Sequence, residues 1–385
     1  METLKQALAV AAQKLQKGDV KGALASLKPL LDPTIEPATR LEALRIVALA
    51  RLLAGERKGA RQAMDEAVEV AKALSPSHQG KAFERRALIR QDDNDYSGAR
   101  ADLEQAAASF ASSGEAALRA NVEDRAAALA AGSSELERAV AGHLTAAALA
   151  SGALPANGER GAHAPRKTGE PSADASNEAL YLVHAAAASH LGGKLDLSRT
   201  ALERALSVQP KDSALRAQTL HNLGVVLSDL GEHDAAIEKL EAALASDAAR
   251  GAIKDAIASR LRLALASRRK GDLARAREEA KKARAEAEPT KDVPLLVEAL
   301  LELSSAELGL KAFEPALAAA KDAVAAAKDD SRLLARTTLH SAVCARAIGK
   351  KETARAGFKM ARELAEAAGE SVLAAAAVRE LKSLE

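Results

Sequence analysis

The chain has 385 residues, of which 48% are hydrophobic, 28% are charged and only 2% are aromatic. The net charge of +2 disfavours a dedicated nucleic-acid binder, and the single cysteine, Cys344, excludes an intramolecular disulfide and a cysteine-rich zinc site. No apolar run reaches the ~18 residues of a membrane span, and the first residues lack the apolar core of a signal peptide. We therefore expect a cytoplasmic protein with no membrane partner.

The apolar residues are mostly Ala and Leu, which together with Arg, Lys and Glu are strong helix formers, so the composition predicts an all-α fold. One phrase recurs along the chain: an apolar helix, a Gly followed by a polar residue, and a second helix with a small residue five positions after the Gly. Such a Gly supplies the positive φ that ends one helix and reverses the chain. In chain order, these pivots are Gly18, Gly55, Asn94, Gly132, Gly193, Gly231, Gly271, Lys311 and Gly349.

Successive pivots are 37 to 40 residues apart, except that Gly132 and Gly193 are separated by 61. The pattern predicts about nine antiparallel helical hairpins, and residues 370–385 predict a further helix that caps them. Ser134-x-x-Glu137 also predicts a capping box at the start of the helix after the fourth pivot.

The long gap coincides with residues 151–178, which contain four Gly, three Pro and no periodicity. This composition predicts a flexible linker or insertion. Two architectures are open: one continuous solenoid with the segment looped out, or two lobes. We favour two lobes, with about four repeats in residues 1–150 and about five repeats plus the cap in residues 179–385.

The sixth copy, LHNLGVVLSDLGEHDAAIEKLEAALASD, resembles a tetratricopeptide repeat in its alternation of large and small residues. The period exceeds that family's usual value of about 34, as in its long-helix bacterial variants. The resemblance implies a right-handed superhelical solenoid that binds other proteins on a concave wall lined by the first helix of each repeat. The matching residues are Leu220, Leu223, Gly224, Leu227, Gly231, Ala236, Leu240 and Ala243.

Counting back from the pivots carries the family's concave positions onto this chain. They mix Leu and Val with Arg, which suits an extended or helical peptide that has apolar anchors and acidic groups. The alternative, that the arginines form a solvated face, is at least as compatible with the sequence. The partner-binding residues predicted in this way are His221, Val225, Asp229, Leu261, Leu265, Arg268, Arg269, Arg336, Leu339 and Arg346.

No pattern of catalytic residues emerges, so we predict no enzyme activity, no cofactor and no metal. His340 and Cys344 have the i, i+4 spacing of a metal-ligand pair, but no third ligand lies nearby in sequence. Residues 257–290 hold ten Lys or Arg and no aromatic residue on which a base could stack, so nucleic acid is not expected.

The predicted function is a non-catalytic scaffold or adaptor that binds one or more proteins or peptides. The alternative is a ligand- or peptide-sensing regulatory module that acts in trans. The oligomeric state is left open by the sequence.

Overall fold

A computed structural model describes residues 2–161, 163–167, 169–210 and 213–384. Within these ranges the regular structure is entirely helical and comprises nineteen α-helices and two short 3-10 helices. The first eighteen α-helices pack in consecutive pairs, and the last follows as a single helix. The predicted all-α solenoid of nine hairpins with a C-terminal cap is therefore confirmed.

The chain divides into two compact units, Met1–Gln209 and Pro210–Glu385. The helices of the first unit are α1 (Glu2–Gln16), α2 (Val20–Leu27), α3 (Pro37–Leu53), α4 (Arg57–Ala71), α5 (Pro76–Asp92), α6 (Tyr96–Ser113), α7 (Ala116–Gly132), α8 (Leu136–Ala150), α9 (Ala175–Leu191) and α10 (Leu195–Val208). Those of the second unit are α11 (Ala214–Asp229), α12 (His233–Ala249), α13 (Ile253–Lys270), α14 (Leu273–Ala287), α15 (Val293–Gly309), α16 (Phe313–Ala326), α17 (Ser331–Ala347), α18 (Lys351–Ala367) and α19 (Ser371–Lys382).

Eight of the nine predicted pivots have the positive φ that the turn requires, and the fourth is corrected. Gly132 is the last residue of α7, and the left-handed residue of that turn is Ser134, with φ of 62°. The N-cap of α8 is Glu135, which makes no side-chain capping bond. The capping box was therefore wrong, because Ser134 is already used to reverse the chain.

The small residue five positions after each pivot is fully buried in all nine hairpins. Its size allows the two helices to cross closely, since a larger side chain would hold them apart. In the fourth hairpin the small residue is Ala139, which lies five positions after the corrected pivot Ser134 and is fully buried. Five positions after the predicted pivot Gly132 lies Glu137, which is not a small residue. The fifth is Ser198, whose Oγ donates to the carbonyl of Ala186 at 2.8 Å.

Residues 151–174, between α8 and α9, lie within the first unit and are held by long-range hydrogen bonds. Arg119 donates to the carbonyls of Ala156 and Gly158 at 2.7 and 2.6 Å, and Arg204 donates to those of Lys167 and Glu170 at 2.9 and 2.8 Å. Helices α8 and α9 pack against each other directly. The segment is thus an excursion from the helical stack within the first unit, which extends to Gln209.

Three pivots are not glycine, and one of them offers a test of the turn. Lys311 has φ of 60°, a conformation that costs an L-residue roughly 1 kcal/mol more than it costs glycine. We expect Lys311→Gly to raise the free energy of unfolding by about 0.5 kcal/mol, because the greater freedom of glycine in the unfolded chain offsets part of the gain. The reverse change Gly231→Lys should lower it by a similar amount or more. Urea unfolding measures both, and a stabilising Gly231→Lys would contradict this account of the pivots.

Candidate functional site

A groove in the second unit crosses the first helices of three consecutive repeats, α13, α15 and α17. Its cavity volume is about 400 Å³. We call it the unit-two groove. It is lined by Leu261, Arg262, Leu265, Glu298, Leu301, Glu302, Ser305, Arg336, Leu339, His340 and Val343.

The repeat register explains why these residues meet. Leu261, Leu301 and Leu339 each lie ten positions before the pivot of their hairpin, so stacking of the repeats aligns them in an apolar row. Two of the three are almost completely covered by neighbouring helices, with Leu261 exposed by 5% and Leu301 by 7%. The residues one position later form a parallel polar row of Arg262, Glu302 and His340. The groove therefore combines an apolar floor with a charged edge.

The structure places four of the predicted partner-binding residues together in this groove: Leu261, Leu265, Arg336 and Leu339. Arg268 lies next to it, bound to the lining residue Glu302. The other predicted residues lie elsewhere in the second unit. They are His221, Val225 and Asp229 on α11, Arg269 on α13 and Arg346 on α17.

The predicted arginines are not free, because each forms an ion pair with a carboxylate on another helix. Arg268 Nε lies 2.7 Å from Glu302 Oε1, and Arg336 Nη1 lies 3.3 Å from Glu298 Oε1. The further pairs are Arg269 with Asp229 at 2.5 Å and Arg346 with Glu380. Solvent-exposed pairs of this kind contribute only about 0–1 kcal/mol, so a partner carboxylate can exchange with them at little cost.

Arg262 is an exposed cation that lines the groove, and the predicted partner-binding residues did not include it. Among the described residues that line the groove, it is the arginine with no ion pair. Its register position, one after Leu261, places its guanidinium beside the apolar row. An acidic group of a ligand can pair with it without displacing an internal partner.

His340 lies at the base of the groove in a buried hydrogen-bonded chain. Its Nε2 is 2.9 Å from Ser304 Oγ, which also donates to the carbonyl of Ala316 at 2.8 Å and lies 3.3 Å from Cys344 Sγ. Burial, reinforced by the positive charges of Arg268 and Arg336, lowers the pKa of His340 to about 4. Ser304 thus connects the two residues that had the spacing of a metal-ligand pair.

A second, polar cavity of about 590 Å³ lies between α11, α12 and α13. It contains a serine–histidine contact that sequence reasoning missed, with His221 Nδ1 3.0 Å from Ser259 Oγ. The Ser259 hydroxyl, which is 1% exposed, donates to Asp247 Oδ2 at 3.2 Å. The serine is therefore buried and already bonded to a carboxylate, which is not the arrangement of an activated nucleophile.

Among the described residues, the helices are all too short or too polar to cross a lipid bilayer.

The stacked hairpins and the groove on their first helices define a helical-repeat protein. Residues 217–250, which span most of α11 and α12, match the tetratricopeptide repeat family. This match confirms the resemblance of the sixth copy to a tetratricopeptide repeat. A search among curated proteins gave no match.

Solved structures with the same fold share little sequence with this chain. A tetratricopeptide repeat protein from Parabacteroides merdae is 13% identical, with a TM-score of 0.56 over 79% of this chain and 98% of the other. A signal transduction ATPase with a tetratricopeptide repeat sensor, from Pyrococcus horikoshii, is 15% identical, with a TM-score of 0.57 over 95% of this chain and 55% of the other. Aspartyl phosphate phosphatase F from Bacillus subtilis is 13% identical, with a TM-score of 0.54 over 94% and 93%.

Proposed function

We propose that this chain is a cytoplasmic, non-catalytic scaffold or adaptor that binds a peptide segment of a partner protein in the unit-two groove. The observation that supports the proposal is the pair of aligned rows across α13, α15 and α17. Leu261, Leu301 and Leu339 offer an apolar floor, and Arg262 offers a cation at its edge.

The rows specify the chemistry of the peptide. Its apolar side chains contact the leucines, and an acidic side chain near them pairs with Arg262. Glu298 and Glu302 are paired with Arg336 and Arg268, which leaves the groove close to neutral. The paired carboxylates therefore attract a strongly basic peptide less than free carboxylates would. A peptide with apolar anchors and few charges of one sign fits this surface best.

The test is a selection of binding peptides from a random displayed library against the full chain, followed by affinity measurements on the enriched sequences. We expect enriched peptides with apolar anchors and an acidic residue, and Arg262→Glu should weaken their affinity about tenfold or more, since charge-assisted hydrogen bonds contribute roughly 1.5–3 kcal/mol. Leu339→Asp should also weaken it, because it places a charge among the apolar anchors.

Matched changes in the second unit serve as controls. Lys359→Glu reverses an exposed charge on α18, and Val372→Asp changes a residue that is 80% exposed on α19. Neither should alter peptide affinity. Enriched peptides that bind Arg262→Glu and Leu339→Asp as tightly as the unchanged chain would exclude the groove as the binding site.

A second candidate function, a sensor of a small polar ligand, is favoured by the polar cavity between α11, α12 and α13. His221, Asp247, Arg250 and Asp255 line it and provide both donors and acceptors. A ligand held there should raise the thermal unfolding midpoint of the chain. At a hundredfold excess over its dissociation constant, it should add about 2.7 kcal/mol to the free energy of unfolding. The same ligand should lose this effect in Arg250→Ala.

A further inference from the structure

Three side chains in the first unit converge from three successive helices: Asp124 on α7, His143 on α8 and His184 on α9. His143 Nδ1 lies 2.6 Å from Asp124 Oδ1, and His184 Nδ1 lies 2.9 Å from the same oxygen and 3.1 Å from Oδ2. One nitrogen or oxygen from each residue lies within 4.8 Å of the others. The two imidazole rings meet edge to face, with their centroids 5.4 Å apart.

The charge environment of Asp124 differs from that of Asp102 and Glu178, which are also buried. Asp102 is paired with Arg86, and Glu178 is paired with Arg204. Asp124 is only 9% exposed, yet in the part of the chain that the structure describes its ion pairs are with the two histidines alone. A buried carboxylate needs a compensating cation, because its desolvation is costly. The cluster therefore contains a negative charge for which the protein supplies no permanent positive charge.

Two imidazole nitrogens and one carboxylate oxygen form a donor set that divalent transition metals accept. Around Zn²⁺, with ligand distances of about 2.0–2.1 Å, neighbouring ligand atoms in a tetrahedral site lie ~3.3 Å apart. The present contacts of 2.6 and 2.9 Å are only slightly shorter, so small side-chain movements admit an ion.

Access and rigidity both suit such a site. His143 is 3% exposed and fixed within the helical stack, whereas 40% of the His184 side chain is exposed to solvent. Close to the cluster, the Tyr181 hydroxyl donates to Asn121 Oδ1 at 2.7 Å. Tyr181 and Asn121 lie one turn before His184 and Asp124, so this bond fixes the spacing of α7 and α9 beside the three ligands.

We propose that Asp124, His143 and His184 bind a divalent transition metal, with Zn²⁺ the preferred ion, and leave at least one coordination position open to water or to an acidic ligand group. The bound ion supplies the positive charge that Asp124 lacks. Sequence reasoning missed this site because its members are separated by 19 and 60 residues and meet only when the repeats stack.

The test uses the full chain, stripped of metal by a chelator and then titrated with Co²⁺, whose visible absorption reports its coordination. We expect one equivalent of Co²⁺ to bind with the strong absorption of a tetrahedral or five-coordinate ion, and Zn²⁺ to displace it. Zn²⁺ should also raise the thermal unfolding midpoint. His184→Asn, at the half-exposed ligand, should weaken binding about 100-fold or more.

His143→Asn should weaken binding as strongly, and His78→Asn, at an exposed histidine of α5, should leave it unchanged. Circular dichroism of each variant separates loss of binding from loss of folding. The proposal is overturned if Co²⁺ keeps the weak absorption of the hydrated ion in the presence of the unchanged chain, or if His184→Asn binds it equally well. A cluster that binds no ion, with His184 titrating well above pH 6.5 in NMR spectra, would be a hydrogen-bonded carboxylate–imidazole network instead.

Discussion

Replacing Glu178 with alanine is expected to lower the free energy of unfolding of the first unit by about 3–5 kcal/mol. Arg204 and Glu178 are almost fully buried, with side chains exposed by 1% and 2%. Arg204 Nε and Nη2 donate to the two carboxylate oxygens at 2.7 and 3.1 Å, which is the two-pronged geometry that arginine favours. Without Glu178 the buried guanidinium loses the carboxylate with which it is paired. Urea unfolding of the full chain, followed by circular dichroism, measures the loss.

Two further variants distinguish the buried charge from the loss of side-chain volume. Glu178→Leu combined with Arg204→Met removes both charges, so it should recover most of the stability lost by Glu178→Ala. Glu69→Ala, which breaks the exposed pair with Lys72, should cost at most about 0.5 kcal/mol. A Glu178→Ala effect no larger than that of Glu69→Ala would show that Arg204 is compensated by the carbonyls it contacts.

The same arginine gives the double variant a second readout. Arg204 Nη1 donates to the carbonyls of Lys167 and Glu170, and methionine cannot replace those bonds. We therefore expect the double variant to be nearly as stable as the unchanged chain but more readily cleaved by a protease within residues 163–170.

The hairpin architecture was predictable because its signals are local. A pivot and the small residue of its hairpin are only five positions apart, and such pairs recur at nearly constant spacing on either side of the 151–178 segment. The error at the fourth pivot came from reading the turn from Gly132 alone. The buried Ala139 was the better signal, since it points back to Ser134.

The groove was predictable in part for the same reason. Counting from the pivots placed Leu261 and Leu339 at one register, and the structure aligns them. The partners of the arginines were not predictable. Arg268 and Glu302 are 34 residues apart, and their contact depends on how α13 stacks on α15.

For the segment 151–178, composition predicted the local structure but not the contacts with other helices. Its Gly and Pro content indicated an absence of regular structure, which holds for the described residues from 151 to 174, whereas residues 175–178 belong to α9. The side chains that hold it, Arg119 and Arg204, belong to α7 and α10. Their hydrogen bonds go to backbone carbonyls, and Arg160 of the segment pairs with Glu123 on α7 at 2.9 Å. These contacts join residues far apart in sequence, so composition does not indicate that the segment is held.

Lowering the pH from 6.5 to 4 is expected to destabilise the second unit by about 3 kcal/mol through His340 alone. The pKa of His340 falls from the ordinary value of 6.5 to about 4 in the folded protein, mainly by burial and further by Arg268 and Arg336. Above pH 6.5 the imidazole is neutral in both states, and the group has no effect. Between pH 6.5 and 4 the unfolded chain takes up a proton that the folded chain does not, so stability falls by about 1.4 kcal/mol for each pH unit. Below pH 4 this dependence ends.

The measurement is the difference in free energy of unfolding between the unchanged chain and His340→Gln as a function of pH. Glutamine keeps a polar contact for Ser304 but cannot take up a proton, so it removes the contribution of His340 while the carboxylates, and His221 with its own lowered pKa, affect both proteins alike. The unchanged chain should therefore lose stability relative to His340→Gln by about 3 kcal/mol across this window. A difference that stays constant from pH 6.5 to 4 would mean that His340 is protonated in the folded groove. Its charge would then stand beside those of Arg268 and Arg336, and affinity for an acidic peptide would rise as the pH falls.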